Sequence, residues 1–174
     1  MRGRELPDYT TRAEAEQLFE KAISLIPSLT PNGACLSNRK LNELQWRATL
    51  IKAEIKKEQE HLHTRLDEIA AAADYCKRRL PPRKTINHLE TSYGYKHVVE
   101  RWHPRINYCC NGAFIAAAVG LGFTFKCEHA NPNPLFNLGK WTGGYPEPGS
   151  RAEYDEECRI YSNSREGGWA QAEK

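Results

Sequence analysis

The stretch from Ala34 to Leu80 contains neither glycine nor proline, and it is rich in leucine, alanine, glutamate, lysine and arginine. These residue types favour the α-helix, and Asn38 is a good helix-capping residue. The sequence therefore predicts one long helix over 38–79. Unbroken, it would extend about 60 Å at 1.5 Å per residue, which exceeds the width of a compact protein of this size. We expect the helix to bend or break near 57–65, or to protrude and pair with a second copy.

A seven-residue repeat of apolar positions runs along this segment, as in a coiled coil. One row of the repeat is apolar throughout, whereas the other has Glu58 and Arg65 in its middle. These charged residues weaken a continuous zipper, so packing on the chain's own domain is favoured and a homodimer through 38–79 is the alternative. The rows are Leu41, Ala48, Ile55, Leu62, Ile69 and Cys76, and Leu44, Ile51, Glu58, Arg65 and Ala72.

Shorter elements are predicted on either side of this segment. A first helix runs from about Thr11 to Ile26, because Glu14 follows Thr11 at the spacing of a capping box. Beyond Pro82, one helix begins at Thr91 or Ser92 and ends at His103, and an apolar helix begins at Asn111 and ends at Gly120 or Gly122. The alternating residues 123–129 and the stretch 131–138 predict two strands.

The predicted fold class is therefore mainly α with a small β-hairpin. Residues 1–80 form a helical region with the long helix, residues 81–138 a compact helix–helix–hairpin module, and residues 139–174 a loop and polar tail. With 40% hydrophobic and 27% charged residues among 174, the composition is that of a globular protein. This length fits one domain overall.

The predicted order of elements in 81–138 is also that of a winged helix-turn-helix: a helix, a connection, a second helix and a hairpin. In that motif the second helix presents polar side chains to base edges. Here residues 112–119 contain only glycine, alanine, phenylalanine, isoleucine and valine, which is typical of a buried helix. We therefore expect no base reading by this helix. A nucleic-acid-binding regulator of this type, which contacts phosphates through flanking basic residues, is the alternative function.

Basic residues are concentrated at 77–105, where eight basic and two acidic side chains give a net charge of +6, against +3 for the whole chain. Cations are favourable in the last turn of a helix, which explains part of the run KRRLPPRK at 77–84. Residues 147–174 carry a net −3, so the basic segment either pairs with this tail or binds an anionic partner. The candidate partner-binding residues are Arg78, Arg79, Arg83, Lys84, Arg101 and Arg105.

Metal-ligating side chains occur at spacings that do not suit zinc. Cys109 and Cys110 are adjacent, whereas paired zinc ligands usually stand two to four residues apart. Cys127 and His129 share a face only if they lie on a strand, which leaves a metal site as a minor alternative. We therefore expect free thiols and no metal or cofactor.

The sequence also gives little indication of a catalytic site. His97 and Glu100 lie one helical turn apart, but such pairs are mostly surface ion pairs. Cys109 precedes a helix, which can lower the pKa of a thiol, yet no partner base accompanies it. We expect no catalytic residue and predict that the chain is not an enzyme.

Export and membrane insertion are not expected. The first twelve residues lack an apolar run, and the longest apolar stretch, residues 113–123, is shorter than the roughly 20 residues that cross a bilayer. We therefore expect a protein of the cytoplasm of a host cell, with free cysteines and no membrane contact.

Three strings, TSYGYKHVVERW, NGAFIAAAVGLGF and NPNPLFNL, resemble a module of small uncharacterised phage and prophage proteins. The resemblance covers residues 85–138 and transfers no functional residue. It implies an accessory factor that binds and blocks a macromolecular partner. That partner would be a protein or nucleoprotein complex of host defence, such as a CRISPR effector, which makes an anti-CRISPR role the expectation.

Overall fold

The computed structural model describes residues 9–104, 106–128 and 131–139, together with Ala152, Asp155 and Arg159, which are helical and exposed. Two residues singled out above, Arg105 and His129, lie outside this description, as does most of the polar tail. Within the described residues, the helices and the single antiparallel sheet confirm a mainly helical fold with a small hairpin. The elements are α1 Arg12–Leu25, α2 Asn38–Glu43, α3 Ala48–His63, α4 Leu66–Arg79, α5 Ser92–Trp102, α6 Asn111–Gly120, β1 Phe125–Lys126 and β2 Leu135–Phe136. None of the helices in these ranges combines the length and apolar character needed to span a membrane.

The capping box of α1 is confirmed. Glu14 N donates to Thr11 Oγ1 at 3.2 Å, and Thr11 N donates to Glu14 Oε2 at 2.7 Å. These bonds satisfy backbone groups that a helix start would otherwise leave without partners. The apolar face of α1 is buried, and the helix ends at Leu25, just before Pro27.

Segment 38–79 is not one continuous helix, because it forms α2, α3 and α4, and the first of its two breaks was not predicted. Between α2 and α3, Gln45 and Trp46 have φ angles of 51° and 55°, a left-handed conformation that ends a helix. No glycine or proline marks this break, and α2 is capped by Ser37 rather than by Asn38.

The second break, at Thr64 and Arg65, falls within the predicted range of 57–65. Leu62 and Leu66 on its two sides are both buried, so the chain turns in order to keep both in the core. Beyond the break, the run Ala70–Ala73 is also fully buried. Burial of apolar surface thus outweighs the helix propensity of this segment.

The core is built around α6, every residue of which is buried. Helices α1, α4 and α5 pack on it, and Tyr95 of α5 stacks on Phe114 with ring centroids 5.4 Å apart. One core cluster contains residues from Ala15 to Leu138, so the core is continuous across the predicted boundary at residue 80. Because α6 is buried on all sides, it has no exposed face that could enter a DNA groove.

The hairpin pairs β1 with β2, which confirms both predicted strands, and Phe125 lies opposite Phe136. The segment before α5 runs along β2: Asn87 N donates to Phe136 O at 2.8 Å, and Ser92 N donates to Pro134 O at 3.0 Å. These bonds fix the start of α5 against the hairpin. The helix that carries His97 and Glu100 is therefore held at its beginning by β2 and along its buried face by α6.

Candidate partner-binding surface

The six candidate basic residues occupy different environments. Arg79 is only 2% exposed, and its guanidinium lies 5.6 Å from the centroid of the Trp102 ring. Arg78 is half-buried, with its guanidinium 4.5 Å from the Tyr9 ring. Both contacts are cation–π interactions within the fold. The remaining described candidates, Arg83, Lys84 and Arg101, are exposed, and Arg105 lies outside the described residues.

On α5, Glu100 is the centre of a hydrogen-bonded cluster. It accepts from Lys96 Nζ at 2.8 Å, lies 2.7 Å from His97 Nδ1, and accepts from the backbone N–H of Cys109 at 3.2 Å. Burial by itself would raise the pKa of Glu100, but the hydrogen bonds from Lys96, His97 and Cys109 lower it below its usual value. The carboxylate is therefore charged at neutral pH, and it fixes the segment that leads into α6.

A second carboxylate, that of Glu68 in α4, also holds the backbone of the segment that leads into α6. Its Oε2 accepts from the N–H of Cys110 at 2.6 Å, and its Oε1 accepts from Arg65 at 2.8 Å. Cys110 immediately precedes α6, so Glu68 places negative charge at the positive end of that helix. Sequence reasoning missed Glu68, because nothing in its own helix indicates that α4 passes the start of α6.

These two ion pairs support an exposed pair of tyrosines. The ammonium of Lys96 lies 5.1 Å from the centroid of Tyr93 and 4.9 Å from that of Tyr108, and its side chain is only 4% exposed. Tyr93 and Tyr108 are nevertheless 51% and 52% exposed. Lys96 thus holds both rings by cation–π contacts while each tyrosine stays about half exposed.

Two further residues of α5 extend this surface. His97 packs edge-on against Tyr93, with centroids 4.7 Å apart, and the exposed Arg101 follows His97 by one helical turn. We call Tyr93, His97, Arg101 and Tyr108 the tyrosine face. Of the residues proposed from the sequence, the face includes His97 and Arg101. Neither tyrosine was predicted, because their exposure depends on the packing of α5 against α6.

The cysteines near this surface are poor nucleophiles. Burial raises the pKa of Cys109 well above its ordinary value, and it raises the pKa of Cys110 to about 12. Both thiols are therefore protonated at neutral pH. Within the described residues, no group of three or more histidine, cysteine, aspartate or glutamate side chains is placed to hold a metal ion. His129 lies outside those residues, and Cys127 is exposed on the hairpin side.

Comparison with known proteins provides no relative from which a role can be transferred. No family model, no curated protein and no solved structure matches this chain. The resemblance of residues 85–138 to phage proteins therefore stays a prediction from the sequence.

Proposed function

We propose that this chain is a non-enzymatic protein that binds a macromolecular partner through the tyrosine face and thereby blocks it. The observation that carries the proposal is the pair of half-exposed tyrosine rings held on either side of Lys96. Tyrosine and arginine are enriched at the energetic centres of protein interfaces. Rings that are already fixed lose little conformational freedom on binding, so more of their contact energy is retained as affinity.

The charge balance around the face favours a protein partner over nucleic acid. Lys96 is paired with Glu100, and Arg65, which lies 6.0 Å from the Tyr108 ring, is paired with Glu68. Nucleic-acid-binding surfaces need a net excess of positive charge, because their affinity comes largely from phosphate contacts. The tyrosine face, whose exposed arginine is Arg101, fits the mixed polar and aromatic character of protein interfaces.

The state of the candidate catalytic groups supports a binding role. His97 and Glu100 are hydrogen-bonded to each other, and Glu100 also accepts from the backbone N–H of Cys109 before α6. Cys109 is protonated and buried. Each of these groups has a structural role in positioning the tyrosine face.

The partner class follows from the sequence resemblance. An accessory protein of phage type would act in the cytoplasm of its host cell. A host-defence nucleoprotein complex, such as a CRISPR effector, is therefore the first partner to test.

The experiment is an affinity pull-down of the tagged protein from bacterial host lysate, with and without nuclease, followed by reconstitution with the purified partner. We expect a stoichiometric protein partner that survives nuclease. The variant Tyr93→Ala/Tyr108→Ala should weaken its binding by about 100-fold, the cost of two interface residues at over 1 kcal/mol each. Leu25→Ala, which truncates an exposed apolar residue on α1, is the matched control and should bind normally.

The basic-residue alternative gives a different result in the same experiment. If nucleic acid is the partner, the captured material disappears with nuclease and binding falls steeply with salt. In that case Arg83→Glu/Lys84→Glu, and not the tyrosine variant, would abolish capture. Either of these outcomes would exclude the tyrosine face as the binding surface.

A further inference from the structure

A second surface lies on the helical arm, which we define as residues 38–59, comprising α2, the connection after it and most of α3. Helix α3 is tied to the rest of the chain near its end, where Gln59 donates to Pro27 O at 2.9 Å and Leu62 is buried. Toward the other end of the arm, Trp46 is 60% exposed and Leu50 is 43% exposed. Large apolar side chains that remain this exposed beside a groove are typical of binding sites.

Two adjoining clefts run along this arm. The first, of about 280 Å³, is lined mainly by apolar side chains, among them Leu41, Trp46 and Ile51. The second, of about 380 Å³, is lined in part by Lys52 and Lys56. Both clefts include Ile55 and Ser28, so they form one groove with an apolar half and a basic half. We call it the arm groove.

The basic half results from the way in which charges are distributed on α3. Lys52 and Lys56 are exposed and stand one helical turn apart, on the side of α3 that lines the groove. Two carboxylates of the same helix, those of Glu54 and Glu58, lie near Lys40 instead. Glu54 accepts from Lys40 at 2.9 Å, and this hydrogen bond raises the pKa of Lys40, with smaller contributions from Glu43 and Glu58. Among the described residues, two lysines and no acidic residue line the second cleft, so the basic half of the groove carries an excess of positive charge.

We propose that the arm groove binds an acidic amphipathic helix of a protein partner. Apolar residues at spacings of three and four would enter the half lined by Trp46 and Ile51, and the flanking carboxylates would pair with Lys52 and Lys56. This is the helix-in-groove mode of recognition, in which apolar anchors give affinity and rim charges give orientation and selectivity. The proposal uses a surface separate from the tyrosine face and does not depend on it.

A second copy of this chain is the other occupant to consider for such a groove. It would bring the same lysines to the groove, and two carboxylates of its own α3, those of Glu54 and Glu58, lie near Lys40. Complementary charge therefore favours an acidic segment of another protein. Self-association becomes an outcome of the test.

The test is a selection of yeast-displayed peptides on the full-length protein. The library fixes leucines at helical spacings of three, four and seven and leaves the flanking positions random. We expect enriched binders to be rich in glutamate and aspartate. Their affinity, measured by fluorescence anisotropy, should fall about tenfold or more in Lys52→Glu/Lys56→Glu and also in Trp46→Ala. The control variant Arg83→Glu/Lys84→Glu changes the net charge equally at two exposed residues outside the groove, and it should bind like the wild type.

A charge swap completes the test. A selected peptide whose acidic residues are replaced by lysine should lose binding to the wild type and regain it with Lys52→Glu/Lys56→Glu. Enrichment without acidic residues, or no enrichment at all, would overturn the proposal. A monomer–dimer equilibrium in sedimentation that Trp46→Ala abolishes would also overturn it, because the groove would then be a self-association surface.

Discussion

The imidazole of His103 and the carboxylate of Asp74 meet in the core, with Nε2 and Oδ2 3.0 Å apart and both side chains fully buried. The other oxygen of Asp74 accepts from the backbone N–H of Thr10 at 2.6 Å. One carboxylate therefore joins α4 to the end of α5 and to the segment that begins α1. A buried polar group of this kind is stabilising only while its partners are present.

Asp74→Ala is expected to destabilise the protein by about 3–5 kcal/mol, because it removes the buried carboxylate that accepts from Thr10 N–H and pairs with His103. Guanidinium unfolding measures the loss. Asp67→Ala removes an exposed carboxylate from the same helix and should cost less than about 1 kcal/mol. The double variant Asp74→Ala/His103→Ala should lose less than the sum of the single variants. Strict additivity would show that the two side chains are not coupled.

Glu100→Gln is expected to cost about 2 kcal/mol of stability at neutral pH, since it removes the charged acceptor of buried Lys96. The folded-state pKa of Glu100 lies below the ordinary 4.5, so its contribution is present above that value and is lost as the pH falls through the lowered pKa. The stability difference between the wild type and the variant should therefore shrink between neutral pH and about pH 3. Urea unfolding at each pH tests this. Glu20→Gln, at an exposed position on α1, is the control, and a pH-independent difference would contradict the role given to Glu100.

The rate at which each cysteine is labelled by a thiol reagent should decrease as its burial increases. Among the cysteines that the structure describes, Cys127 is exposed and should react first with iodoacetamide, and the half-buried Cys35 should react more slowly. Cys76, Cys109 and Cys110 are buried and their pKa values are raised by desolvation, so they should react only in denaturant. Mass spectrometry of the digested protein reads each residue separately. Rapid labelling of Cys109 in the native protein would restore it as a candidate nucleophile.

Gly120→Ala is expected to destabilise the protein by about 1–3 kcal/mol through overpacking. A Cβ atom at Gly120 would lie 2.7 Å from the Cα of Leu18, and backbone cannot move aside as a side chain can. At Gly122, two residues later, a Cβ atom would lie 3.9 Å from Lys21 Nζ, an ordinary contact distance, but the backbone has a φ of 89°. Asparagine adopts positive φ more readily than most other side chains do, so Gly122→Asn should cost less than Gly120→Ala. Equal losses in thermal unfolding would show that close packing of α1 on α6 is not the cause.

The sequence by itself determined the elements whose signals are local. The capping box at Thr11 and Glu14, the helix from Ser92 to Trp102, the all-apolar α6 and the two short strands follow from capping residues, turn residues and the spacing of apolar positions. The burial of α6 followed from its composition alone. These features depend on interactions between residues that are close in the chain.

Only the tertiary structure decided where the long helical segment breaks and which side chains form the surfaces. Helix propensity is similar along 38–79, so no local signal marks the break at Gln45 and Trp46, whereas the break at Thr64 keeps Leu62 and Leu66 in the core. The tyrosine face likewise needs Glu68 of α4 and Glu100 of α5 to hold the segment before α6. Such contacts join residues far apart in sequence, and their free energy is set by burial and geometry that no local pattern specifies.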